Sequence, residues 1–178
     1  MEIVIGSWGS YNECNSRALG SEWLDLNDYD TWEEIEEELT SQGFELNGID
    51  EELFIQDFEG AWGFNGDYMH PKRLFEIIKD AELNKYDREE VALAYIEAMC
   101  WEDWVYLVES KGSNWDEDIY FHKNMTPEEV AEQMISDCYP DLDFSRIGWI
   151  SSYVTIDYEG IASDEPYYEV SNGTIEIR

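Results

Sequence analysis

Positive charge is what this sequence has least of. Ten lysines and arginines stand against 43 aspartates and glutamates in 178 residues, and Arg17 is the single base among the first 66. Nucleic-acid binding is thereby excluded as a function, because it rests on Lys and Arg neutralising phosphates, and a net charge of −33 repels them. Cysteine is scarce too. Cys14, Cys100 and Cys138 are odd in number, far apart and in no CxxC pattern, which speaks against a disulfide framework or a zinc site and for a reducing, cytoplasmic setting. No apolar run approaches the roughly 18 residues that a membrane span needs. The N-terminal MEIVIGSWGS also lacks the basic region and long apolar stretch of a secretion signal, so neither export nor a membrane partner is expected.

Catalytic residue types are missing in any useful arrangement. His70, before Pro71 in a turn, and His122, at a strand end beside Lys123, are the only histidines, and both read as ordinary boundary residues. HExxH, GxSxG, the P-loop and GxGxxG are all absent. Carboxylates are so abundant that they carry no glycosidase signal, since that chemistry needs two acids in contrasting environments. DLNDYDTWEE resembles a calcium loop, but from Asp25 onward Asp30 stands where glycine is required and Tyr29 where a ligand is. We therefore expect no catalytic residue, no metal site and no cofactor.

What is present is a foldable chain with an unusual charge. At 43% hydrophobic and 15% aromatic it can bury cores, so it is not a disordered acidic tail. Its charge far exceeds the magnitude of roughly 2 to 8 that keeps a small domain soluble. Self-repulsion on this scale opposes compactness, so solubility alone is a poor reason for it. Turn residues suggest joints near 66 and 112. Segment 1–66 has 17 acids and one base, 67–112 has 11 acids and six bases, and 113–178 has 15 acids and three bases. The middle segment reads as a spacer between two anionic ends.

The first segment predicts a β-β-α-β unit: strands at 2–8 and 22–26, a helix opened by the Thr31–Glu34 capping pattern and stopped near Gly43, and a strand at 52–60. That helix, TWEEIEEEL over 31–39, places Trp32, Ile35 and Leu39 on one face and five glutamates on the rest. Three short helices follow, from Pro71, Asp87 and Glu102, and their tight spacing suggests a bundle. The last segment predicts a strand at 119–122, a helix capped by Thr126 and a hairpin at Asn172–Gly173. IQDFEG at 55–60 and TIDYEG at 155–160 echo one another, either as a trace of duplication or as a coincidence of strand-end residues. The fold class is α+β: a small α/β domain at each end and a central helical bundle.

If the field serves neither solubility nor chemistry, its remaining use is attraction to something basic. Duplex DNA carries one charge per about 1.7 Å, so this chain matches the phosphates of roughly 16 base pairs. Tyr11-Asn12, Leu19-Gly20, WLDL at 23–26, the glutamate helix, IQDFEG at 55–60 and YVTIDYEGIASDE at 153–165 resemble, in order, the ArdA antirestriction proteins. The resemblance implies an elongated homodimer of three small domains, here 1–66, 67–112 and 113–178. It implies a non-enzymatic DNA mimic that occupies the DNA site of type I restriction-modification enzymes and protects mobile DNA in the cytoplasm. Two departures stand out: the stretch between Asn12 and Trp23 is longer than usual, and Ser163 stands where arginine is common.

Glu33, Glu34, Glu36, Glu37, Glu38, Asp57, Glu59, Asp116, Glu117 and Asp118 are the expected phosphate-like charges. The family's antirestriction motif maps onto DFSRIGWISSYVTIDY, 143–158, with Ile147, Trp149, Ile150, Tyr153, Ile156 and Tyr158 as the expected dimer interface. Read from its residues, that stretch is either a self-associating surface or ordinary core. The competing function is a general acidic module that binds other basic or DNA-binding proteins; a small hydrolase whose site shows no motif is a third class.

Overall fold

The computed structural model describes residues 1–59, 69–83, 85 and 87–178. The expected joint at 66 and Gly60 of the IQDFEG stretch lie outside them. Contacts group the chain into two compact units, Met1–Tyr86 with Trp101–Trp115, and Asp87–Cys100 with Asp116–Arg178.

In the first unit, β1 (Glu2–Ser7) is the centre of an antiparallel sheet, flanked by β2 (Leu24–Asp25) and β3 (Leu53–Glu59). Alternation sends Ile3 and Ile5 fully into the core. On the opposite face Gly6 is opposite Phe54, and a Cβ there would come within 2.6 Å of the Phe54 ring. α1 (Trp8–Glu13) starts at the last residue of the expected 2–8 strand and lies in the connection to the second expected strand. It is only six residues long, and Ser7 accepting from the Ser10 N–H (3.3 Å) starts it rather than any apolar period.

α2 (Trp32–Ser41) forms where the capping pattern predicts it, and Trp32, Ile35 and Leu39 are buried. The Glu34 carboxylate reaches back to the N–H groups of Asp30 (2.7 Å) and Thr31 (3.2 Å). α3 (Pro71–Ala81) follows, with Phe75 6.1 Å from the Trp32 ring. His70 is more than a boundary residue: its Nδ1 accepts from the Lys72 N–H at 3.2 Å and caps α3. Burial, reinforced by the charge of Lys72, lowers its basicity.

The three short helices expected as a bundle are distributed. α4 (Arg88–Ala98) packs on the strands of the second unit, while α5 (Trp101–Lys111) packs against α3 in the first. The physical reason lies in α4's apolar run Val91–Ile96, which is consecutive and favours no single stripe. Between α3 and α5, Trp104 and Trp115 are fully buried edge to face at 5.9 Å, and Trp115 Nε1 donates to the Ala81 carbonyl at 3.0 Å. That bond satisfies a carbonyl in the last turn of α3.

The second unit is built on the antiparallel sheet β4-β6-β5, with β4 (Ile119–Lys123), β5 (Tyr167–Val170) and β6 (Gly173–Ile177). The hairpin is present, one residue earlier than expected: Val170 pairs with Gly173, so Ser171 and Asn172 form the loop. Gly173 instead begins β6 at φ 149°, where a Cβ would lie 2.2 Å from the His122 carbonyl oxygen. α6 (Pro127–Cys138) carries the predicted Thr126 cap, and α7 (Tyr158–Asp164) packs against it. The echo of IQDFEG and TIDYEG ends here. Asp57 and Glu59 belong to β3, whereas Asp157 caps α7 through the Gly160 N–H at 2.9 Å, so the two motifs have different backbones.

Candidate functional site

The outer face of α2 carries Glu33, Glu34, Glu36 and Glu37 exposed and Glu38 at the margin. Four pairs of these lie three or four residues apart and repel, at about 0.2–0.5 kcal/mol each. Burial of Trp32, Ile35 and Leu39 returns about 2 kcal/mol apiece, so the inner face outweighs the strain of the outer one. Three of the glutamates are also held locally. Glu34 closes the cap, Glu36 accepts from Trp32 Nε1 at 2.7 Å, and Glu38 accepts from Gln42 Nε2 at 2.8 Å. Glu33, Glu36 and Glu37 line an open groove of about 850 Å³ with Glu45, Leu46 and Phe44.

The sheet adds more acids. Glu2 is opposite both Asp25 on β2 and Glu59 on β3, so three carboxylate residues form one row across the strands. Like charges directly opposite are destabilising in a sheet. Asp57 is exposed one step further along β3. Of the DLNDYD acids, Asp25 acts as a local cap: it accepts from the Asn27 N–H at 3.0 Å and opens a short 3-10 turn, Leu26–Asp28.

The single base of this region is turned inward. Arg17 donates through Nη1 to the Gln42 carbonyl at the end of α2 (3.2 Å), and its Nε lies 4.0 Å from Asp50. Gly43, at φ 88°, leaves the space, since a Cβ there would sit 2.5 Å from Nη1. Asp50 is fully buried and accepts from Ser10 Oγ and from the Glu45 N–H at 2.8 Å. Burial opposes its ionisation most strongly. The hydrogen bonds from Ser10, Glu45 and Ser7 and the Arg17 charge together outweigh burial and hold the carboxyl below its ordinary range. Asp50 and Arg17 escape a sequence reading because nothing local separates Asp50 from the other acids.

In the second unit the expected charges are unequal. Asp116 is engaged by Arg88 at 2.8 Å, Glu117 is exposed, and the Asp118 carbonyl accepts from the Arg178 N–H at 2.9 Å. The 143–158 stretch is not core. Phe144–Tyr153 is a 3-10 segment kinked at Gly148 with no buried residue, and Trp149 and Tyr153 are 79% and 77% exposed. Those two rings meet edge to face at 6.1 Å. Ile147 and Ile150 are exposed beside them, while Ile156 and Tyr158 are half-buried. Asp143 holds the start of the segment, its carboxyl lowered by hydrogen bonds from the Ser145 hydroxyl and N–H.

Among the described residues no three or more His, Cys, Asp or Glu side chains are placed to hold a metal ion. His122 lies 3.4 Å from Glu176 across β4 and β6. No helix there is long and apolar enough to cross a membrane. No curated protein matches the chain. The family model described as antirestriction protein (ArdA) matches residues 3–176, almost the whole length. An acid-faced helix backed by aromatic core, an exposed aromatic 3-10 segment and this match lead to one conclusion: the chain belongs to the ArdA family of antirestriction proteins.

Proposed function

We propose that this antirestriction protein acts by occupying the DNA-binding site of a type I restriction-modification enzyme, with its carboxylates in place of backbone phosphates. The observation that carries the reading is the charge density of α2. Five glutamates fall within six residues, Glu33 to Glu38. At a rise of 1.5 Å per residue that is about one charge per 1.8 Å, against about one per 1.7 Å for duplex DNA. Glu2 and Glu59, exposed in one row with the half-buried Asp25, extend the field within the same unit. Asp57 contributes to it, while Glu117 and Asp118 supply charge on the second unit, where Asp116 contributes less because Arg88 offsets it.

The protein works without catalysis or cofactor, in the cytoplasm, as a homodimer joined through Ile147, Trp149, Ile150, Tyr153, Ile156 and Tyr158. The division at 66 and 112 belongs to the same proposal as a division of charge, two anionic ends about a less acidic middle. Incoming mobile DNA is what the inhibition protects. The test is cleavage of unmethylated target DNA by a purified type I enzyme with this protein in excess at low salt. Inhibition is expected; full cleavage overturns the reading, and equal potency against an unrelated basic DNA binder favours the general acidic module instead.

A further inference from the structure

The first unit has an aromatic surface that the charge field does not account for. Trp8 stacks on Phe54 with ring centroids 4.2 Å apart and planes 23° from parallel. Tyr11 stands edge-on to both, at 5.9 Å from Trp8 and 6.4 Å from Phe54. Yet Trp8 is 47% exposed and Tyr11 53%. These rings do not complete the unit's main core, because Ile3 and Ile5 point to the other face of the sheet.

The backbone holds the cluster in place. The Trp8 N–H donates to the Glu52 carbonyl at 3.0 Å, joining the start of α1 to the start of β3. Gly9 allows the close approach, since a Cβ there would lie 1.8 Å from the Ile49 carbonyl oxygen. Two buried polar contacts, Ser7 to the Ser10 N–H and Ser10 to Asp50, fix the same turn. A rigid, half-exposed aromatic face loses little entropy when something stacks on it.

Charge identifies the occupant. Glu13 ends α1, Glu51 and Glu52 precede β3, and all three are exposed. Arg17, the only base in this part of the chain, is committed to Gln42 and Asp50. Among the described residues, the protein's own cations reach rings elsewhere, Lys79 over Phe75 and Arg178 over Tyr120. An aromatic face on elements that also carry these exposed acids suits a cation with a flat, weakly hydrated surface, which describes guanidinium better than ammonium.

We propose that Trp8, Tyr11 and Phe54 form a docking platform for an arginine side chain of a basic protein partner. The proposal deepens the reading above, which supplies the arginine-bearing partner, but the platform is a separate contact with a separate signature. The glutamates act through a long-range field that salt screens, whereas ring stacking is short-range and survives salt.

The test uses the full chain and two labelled peptides of equal charge, octa-arginine and octa-lysine. At moderate salt the protein is expected to bind octa-arginine about tenfold more tightly. Trp8→Leu should abolish most of that preference, leave octa-lysine binding unchanged, and identify the indole NMR resonance that octa-arginine shifts in the unsubstituted protein. If Trp8→Leu does not fold, Tyr11→Leu at the exposed rim is the second variant, with a smaller loss of preference expected. No preference in the unsubstituted protein, or full preference in a folded variant, overturns the platform. A platform that passes while type I inhibition fails removes the proposed target alone; the reverse removes the platform alone.

Discussion

Helix α2 and the 3-10 segment Phe144–Tyr153 are each ten residues long, and they divide burial and charge in opposite ways. α2 buries its aromatic and aliphatic residues and turns glutamates to solvent. The second segment buries nothing and turns Ile147, Trp149, Ile150 and Tyr153 to solvent, with Arg146 its only charge. A helix with its apolar stripe already covered has only its field left to offer a partner. In a chain of net charge −33, a stretch with no acid of its own is where a second copy can approach at the lowest electrostatic cost. The difference teaches that one chain can keep its densest charge and its uncovered rings on separate elements, and the proposed function gives the first to a basic target and the second to another copy.

The largest effect is expected at the apolar member of the pair. Trp149→Glu should halve the mass measured by light scattering, because a buried unpaired charge at an interface centre is among the most disruptive changes available. A folded variant of unchanged mass would break the comparison on that side. On the acidic side, Glu33→Gln, Glu36→Gln and Glu37→Gln together should raise the inhibition constant about tenfold and flatten its salt dependence. Each single change should stay within about twofold, since exposed charges act through their sum. One dominant glutamate would point to a specific contact rather than a field.

Two smaller effects sharpen how α2 is held. Asp50→Asn should reduce unfolding free energy at neutral pH by about 2–3 kcal/mol, as it weakens a buried network that includes Arg17 at the end of α2. The sign with pH follows from the lowered carboxyl. Its folded value lies below the ordinary 3.8, so its contribution is complete above that pH and is lost as pH falls through the folded value. Denaturation curves of the two proteins should therefore converge in strong acid. Smallest is Glu34→Ala, which removes the carboxylate closing the N-terminal cap and should cost about 1 kcal/mol in urea melts.

How far such elements can be read from residues alone depends on whether their signal is local. α2 and α6 are legible because Thr31–Glu34 and Thr126–Glu129 mark their starts, and Pro71 marks α3. α1 and α7 are not, since each is too short for periodicity and is started by one polar side chain, Ser7 or Asp157. TIDYEG looks like IQDFEG as a string and differs as a backbone because packing against α6 outweighs a weak local preference. The α2 glutamates can be placed on their helix from the sequence. The inward turn of Arg17 and the burial of Asp50 cannot, because they join residues 17, 42 and 50 through space. Exposure of the 144–153 rings likewise follows from what fails to pack on them, which composition does not encode.

The central claim is that the protein and DNA compete for one site. It is tested most directly by titrating the protein into a preformed complex of a type I enzyme with labelled target DNA. The account predicts that bound DNA is released in step with protein bound, at a midpoint that rises with added DNA and with salt. A stable complex holding enzyme, DNA and this protein together would contradict it.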